Sequence, residues 1–276
     1  MTRQQQTTLI LGGTGKTGRR VAERLSSRGL PVRIASRSGQ ASFDWNDERT
    51  WGPVLKDVGA AYLTYFPDLA VPGAAEHIRK LARRAVDSGV RKLVLLAGRG
   101  EPQVLPAEEG VRKSGAAFTI LRCAFFCQNF NEGALTPAGD EIVFPAGEVA
   151  EPFIDCDDIA DVAVAALTDD RHAGQIYELT GPALVTFAQA AEQIAAASAR
   201  PIRYVPVTFE QYAEALAPIL PGEHVAFLVE LFRGLLDGHN AHLTDGVQRA
   251  IGRKPRDFRA FARDAAARGA WTRAER

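Results

Sequence analysis

The sequence is poor in cysteine, has no long apolar run and carries no excess of either charge. Only Cys123, Cys127 and Cys156 occur in 276 residues. An odd, sparse set makes a poor disulfide framework, so free buried thiols in a reducing compartment are expected. Cys123 and Cys127 are four apart, but no histidine or third cysteine stands near enough in sequence to complete a zinc site. The apolar stretch after Met1-Thr2-Arg3-Gln4-Gln5-Gln6 is far too short for a signal peptide or a membrane span. A soluble, cytoplasmic chain with no membrane association is expected. Its 33 basic residues equal its 33 acidic ones. Without a basic surplus, no nucleic-acid partner is expected. There is also no internal repeat, no low-complexity tract and no Gly/Ser-rich linker.

What is present is an alternation of two periods. Short apolar runs at Thr7–Leu11, Val32–Ser36, Ala60–Phe66, Lys92–Ala97 and Ala117–Leu121 predict strands. Amphipathic segments at Gly15–Arg28, Pro72–Ser88 and Pro106–Ser114 predict the helices between them. Strands apolar throughout and separated by helices indicate a parallel sheet covered on both faces, a doubly wound α/β fold. Beyond residue 125 the pattern predicts strands at Phe153–Cys156, Gln175–Leu179 and Arg203–Val207. Helices are expected at Asp157–Leu167, opened by Asp157 or Asp158, and at Thr186–Ala197, capped by Thr186. Phe209–Arg273 reads as mostly helical, broken at Pro218, Pro221 and Pro255. The expected organisation is a dinucleotide-binding core over 1–125. A smaller, mainly helical substrate region over 126–276 packs on it, with segments free to return to the sheet.

The strongest motif is Gly12-Gly13-Thr14-Gly15-Lys16-Thr17-Gly18, placed between the first strand and the first helix. Glycines 12, 15 and 18 allow a tight turn and close backbone approach, and the helix N-terminus offers its N–H groups to a pyrophosphate. A nucleoside-triphosphate loop would need glycine where Ile10 stands. NAD-selective sites place a carboxylate at the end of the second strand, about 20 residues past the glycine turn. Here that strand runs Ile34-Ala35-Ser36-Arg37-Ser38, and no Asp or Glu occurs between Glu23 and Asp44. Arg37 suits a 2′-phosphate, and Lys16 adds a second charge. NADP(H) is therefore expected in preference to NAD(H). The candidate cofactor-binding residues are Gly12, Thr14, Gly15, Lys16, Thr17, Gly18, Ser36, Arg37, Tyr65, Phe66, Ala97 and Gly98.

The sequence resembles the NmrA-like family of atypical short-chain dehydrogenase/reductases over nearly its whole length. The likeness rests on the glycine loop and on Leu121-Arg122-Cys123-Ala124-Phe125-Phe126-Cys127-Gln128-Asn129, similar to the family's Leu-Arg-Pro-x-x-Phe-x-x-Asn stretch. It continues in Phe153-Ile154-Asp155-Cys156-Asp157-Asp158-Ile159-Ala160-Asp161, Thr244-Asp245-Gly246-Val247 and Gly252-Arg253-Lys254-Pro255-Arg256. Cys123 stands where the family usually has proline. The resemblance implies a Rossmann fold, bound NAD(P) and a variable C-terminal substrate region. The family includes quinone reductases, natural-product reductases and redox-sensing regulators.

The Tyr-x-x-x-Lys acid of ordinary short-chain dehydrogenases is missing. Four residues after Tyr62, Tyr65, Tyr177, Tyr204 and Tyr212 stand Phe66, Leu69, Gly181, Thr208 and Leu216. Two readings follow. The first is an NADP(H)-dependent reductase of a quinone or aromatic polyketide-like carbonyl, with no proton donor assigned. The second is a redox-sensing regulator that binds NAD(P) without catalysis and signals to a protein partner. Tyr65, Arg99, Cys123, Phe126 and Asn129 are the substrate candidates; Arg122 reads as a backbone anchor. Asp155, Asp157 and Asp158 read as a helix start, and no metal is expected. The five histidines read as surface or structural residues, with His77 in a crossover helix whose middle lies away from the active edge and His239 and His242 in a loop that could reach the substrate side. Apolar Ile219-Leu220, Val225, Phe227-Leu228, Leu231-Phe232 and Leu235-Leu236 suit an aromatic pocket, a core or a dimer interface. A monomer or homodimer is expected.

Overall fold

A computed structural model describes residues 6–272 apart from Ser38. Along the chain run β1 (Thr7–Leu11), α1 (Lys16–Ser27), β2 (Val32–Ser36), β3 (Ala41–Ser42), α2 (Trp51–Leu55), β4 (Val58–Leu63), α3 (Ala74–Asp87), β5 (Lys92–Gly98), α4 (Leu105–Arg112) and β6 (Ala117–Cys123). There follow α5 (Asn129–Glu132), β7 (Glu141–Phe144), β8 (Ala150–Glu151), α6 (Cys156–Thr168), β9 (Gln175–Leu179), β10 (Val185–Thr186), α7 (Phe187–Ser198), β11 (Arg203–Pro206), α8 (Phe209–Leu216), α9 (Gly222–Leu235), α10 (Gly246–Ile251) and α11 (Phe258–Ala267).

Two compact units form. The first comprises the chain to Cys123, Cys156–Leu179 and Gly246–Arg253. Its seven-stranded sheet has the order β3-β2-β1-β4-β5-β6-β9, and every pairing is parallel. This is a doubly wound α/β fold of Rossmann type. Chain order reverses between β1 and β4, the switch point at which such sheets leave a crevice beyond their C-terminal ends. Alternation within the strands gives each face its own core. Leu9, Leu11, Leu93 and Leu95 share a buried cluster with Ile78 and Leu81 of α3 and Ala107 and Val111 of α4. Helix α1 also meets α6 through ions. Arg24 bonds Asp157 at 2.6 Å and Asp161 at 2.7 Å.

The second unit comprises Ala124–Asp155, Thr180–Asp245 and the chain from Lys254 onward. Its core is aromatic: Phe130, Phe144, Phe153, Phe187 and Phe258 are buried together. β7 pairs parallel with β11, and β8 antiparallel with β10. Thr186 caps α7 in a reciprocal capping box with Gln189.

Two expectations are corrected. Phe153–Cys156 is no strand: it holds a single bridge, Ile154 to Phe126, and Cys156 already opens α6. Burial of Phe153 and Ile154 against other elements produces the same apolar run as a strand would. Asp157 and Asp158 consequently sit inside the first turn rather than before it. Asp157 turns to Arg24, and Asp158 pairs with Arg253 at 2.6 Å. Two of the family signatures thus serve the scaffold. Arg253 neutralises a fully buried carboxylate, and Gly246 lies so close to β9 that a Cβ would stand 2.0 Å from the Glu178 carbonyl.

Candidate functional site

The glycine loop lies between β1 and α1. Gly12 takes a φ of +64°, and the Gly15 N–H donates to its carbonyl at 2.9 Å, closing a tight turn. Gly18 packs its α-carbon on that turn, where a Cβ would stand 2.3 Å from the Gly12 oxygen. Thr64, just past β4, donates its hydroxyl to the Leu11 carbonyl at 3.1 Å and ties the loop to the neighbouring strand. Gly15 is the N-cap of α1, no side chain caps the helix, and its first turn holds no acid. A helix end of this kind suits an anion. Thr14 is exposed, Lys16 half-buried and Thr17 buried.

At the end of β2 the Ser36 hydroxyl is buried with no hydrogen-bond partner among the described residues. Such an orphaned polar atom is what a bound sugar or phosphate would satisfy. Arg37 is exposed, and its guanidinium carbon lies 5.0 Å from the centre of the Phe66 ring. Ser38 falls outside the described residues. Phe66, 67% exposed, gives this edge a flat apolar face.

Tyr65 follows β4. Its hydroxyl is 2.7 Å from Nδ1 of His77, and its ring lies 4.7 Å from that of Trp45. Burial, and after it the charge of Asp44, raises its phenol above the ordinary value. His77 is therefore misplaced by the sequence reading. Helix α3 starts at Ala74, so His77 is in its first turn, at the edge where β4 ends.

Ala97 is buried and Gly98 half-buried at the end of β5. Arg99 is no surface residue: it is 3% exposed, and its Nε lies 3.3 Å from Glu178 of β9. Arg122 anchors a carboxylate rather than backbone, holding Glu108 of α4 through Nε at 2.8 Å and Nη2 at 2.6 Å. Cys123 is buried and its thiol donates to the Leu121 carbonyl. Burial first, then Cys156, pushes that thiol well above its usual pKa.

Phe126 and Asn129 belong to the second unit. Phe126 is half-buried and bridges Ile154; Asn129 is the first residue of α5 and accepts from the Leu135 N–H at 3.0 Å. In α9, Val225 and Leu235 are buried, whereas Phe227, Leu228, Leu231 and Phe232 are half-buried. Phe232 packs tilted against Phe125 and edge-on against Phe144.

Sequence reasoning missed one group entirely. The carboxyls of Asp68 and Glu101 lie past the ends of β4 and β5, and the Asp68 charge, after burial, raises the Glu101 carboxyl. Thirty-three positions separate them, and only the adjacency of the two strands joins them.

No family model matches the chain. It is 32% identical over 290 residues to an uncharacterised oxidoreductase, YesF, of Bacillus subtilis (strain 168), covering 98% of each chain. It is also 32% identical to an NAD(P)H azoreductase of Xenophilus azovorans, over 94% of this chain and 98% of that one. The chain belongs to the NmrA-like atypical short-chain dehydrogenase/reductases. The NmrA-like fold also appears in solved structures of lower identity. A Citrobacter triphenylmethane reductase complexed with NADP(H) superimposes with a TM-score of 0.73 at 21% identity, over 94% of this chain and 99% of that one. The quinone oxidoreductase QOR2 of Escherichia coli complexed with NADPH gives 0.73 at 19%, over 93% and 98%. NmrA itself, a negative transcriptional regulator, gives 0.72 at 16%, over 97% of each. Among the described residues of this NmrA-like chain, no helix is long and apolar enough to cross a membrane.

Proposed function

We propose that the chain is an NADP(H)-dependent reductase of a quinone or aromatic polyketide-like carbonyl. One observation carries the cofactor choice. The uncapped N-terminus of α1 stands at the switch point, and Arg37 at the end of β2 has no carboxylate paired with it among the described residues. In this reading the backbone of Gly12–Gly18 and the start of α1 hold the pyrophosphate. Ser36 bonds the ribose, Arg37 binds the 2′-phosphate, and Phe66 flanks the base. Lys16 adds charge, and Ala97 and Gly98 present backbone without bulk. When bound, NADPH supplies a hydride; the chain's task is to orient it against an acceptor and exclude water.

We assign substrate recognition to the second unit, in place of the whole of 126–276. Half-buried Phe125, Phe126 and Phe232 suit an electron-poor aromatic acceptor. An azoreductase as a relative and a quinone oxidoreductase of the same fold support that acceptor class. Glu223, Glu230 and Asp237 are exposed and stay on the solvated side.

NADPH consumption against a panel of quinones, azo dyes and aromatic ketones tests the reading, alongside calorimetric binding of NADP⁺ and NADPH. Turnover supports the reductase. No turnover, with a large preference for one cofactor form, supports the regulator, which the missing Tyr-x-x-x-Lys acid favours.

A further inference from the structure

Without a Tyr-x-x-x-Lys acid, a reductase on this scaffold lacks its usual proton source. The ends of β4 and β5 carry two carboxyls, Asp68 and Glu101. Glu101 lies three residues past Gly98, and its carboxyl folds back over that glycine. A Cβ on Gly98 would stand 1.8 Å from Oε1 and 2.6 Å from Oε2. Oε2 is buried with no hydrogen-bond partner among the described residues. Asp68, five residues past β4, accepts from the Ala70 N–H at 2.8 Å.

No basic side chain among the described residues forms an ion pair with either carboxyl. Arg99 turns to Glu178 instead, and Tyr65 bonds His77. Among the described residues, the charge that bears on Glu101 is that of Asp68. A buried carboxylate with an unsatisfied oxygen and a like charge beside it is costly, and taking up a proton relieves both costs. Burial, then the Asp68 charge, pushes the Glu101 carboxyl up to about 8; burial also raises Asp68.

We propose that Glu101 carries the proton that the reduced acceptor takes up, with Asp68 positioned to keep Glu101 a neutral acid. The proposal rests on the reductase reading above. Its balance is simple. The acceptor carbonyl gains a hydride from the reduced nicotinamide cofactor, which is thereby oxidised. The oxygen left anionic forms an O–H bond as the O–H bond of Glu101 breaks. The Glu101 carboxylate then regains a proton from water. Gly98 matters because no residue with a side chain leaves room for the carboxyl at the strand end.

The test is a carbon-13 NMR titration of the glutamate side-chain carboxyls in the intact protein, run beside pH profiles of kcat. In the wild type, one carboxyl should titrate with a midpoint near 8. It should vanish in Glu101→Gln and move to lower pH in Asp68→Asn. Glu101→Gln should lower kcat about 100-fold and erase the alkaline limb of the profile, the loss expected for a general acid. Its calorimetric Kd for NADPH should stay within about threefold of wild type, well below the tenfold change that marks 1.4 kcal/mol. If every wild-type glutamate titrates below about pH 6, within the ordinary range for exposed glutamates, the proposal is overturned. Unchanged kcat in Glu101→Gln overturns it equally and leaves the reductase reading standing. Wild-type protein that binds no NADPH, or reduces no acceptor, instead overturns the reductase reading and the use of this acid with it.

Discussion

The Tyr65 hydroxyl lies 2.7 Å from Nδ1 of His77, joining the end of β4 to the first turn of α3. Trp45 packs against the tyrosine ring, the two ring centres 4.7 Å apart. The contact fixes the segment that carries Phe66 and leads to Asp68. Tyr65→Phe keeps the ring packing and loses only the hydrogen bond. Unfolding in urea should show a loss of about 1 kcal/mol, the usual net worth of such a bond. A loss near zero would mean the bond contributes nothing to holding the segment.

Arg37 and Phe66 offer a charge and a flat face at one edge. A guanidinium on a phosphate is worth about 1.5–3 kcal/mol. Arg37→Ala should therefore weaken NADPH binding roughly 10- to 100-fold while leaving NADH within about twofold. Calorimetry with both nucleotides checks this, and equal losses would remove the basis for preferring NADP(H).

Arg122 neutralises Glu108, which is 3% exposed. Arg122→Ala leaves that carboxylate buried and unpaired and should cost about 3 kcal/mol by denaturant unfolding. Replacing both residues together, as Glu108→Leu with Arg122→Met, should recover most of the loss, because the cost lies in the stranded charge. Failure of the double variant to recover would place the cost in packing instead.

The Glu101 carboxyl has a sign that stability can read. Its folded value of about 8 lies above the ordinary 4.5, so between those limits the folded state binds the extra proton. Stability from this group is complete below the lower limit and falls as pH rises through the upper one, at a slope of at most about 1.4 kcal/mol per pH unit. Thermal or urea unfolding from pH 4 to 9 should show Glu101→Gln gaining on wild type as pH rises, with the difference levelling off above the folded value. Parallel curves for the two proteins would contradict the shift.

Much of the fold was legible because burial on both faces leaves a plain mark. Lys92–Ala97 is apolar at all positions after Lys92, and Leu9–Leu11 gives β1 its apolar run; the predicted spans agree with the observed ones to within a residue. The glycine loop was legible for a similar reason, since Gly12 and Gly18 occupy places where a side chain does not fit. The strands β3, β8 and β10 are not legible because two residues carry no period, and β7 escapes the sequence reading as well. Phe153–Ile154 mimicked a strand because aromatic packing buries it just as fully. The pairings Tyr65–His77, Arg122–Glu108 and Asp68–Glu101 were beyond reach, since each joins residues of separate elements. Only the sheet order makes Asp68 and Glu101 neighbours, through the pairing of β4 with β5.

The most direct measurement is an anaerobic single-turnover experiment in which protein holding one equivalent of NADPH is mixed with a quinone. The reductase reading predicts one NADPH oxidised for each hydroquinone formed, at a rate far above that of free NADPH with the same quinone. NADPH that stays bound and unoxidised across the whole acceptor panel would contradict it.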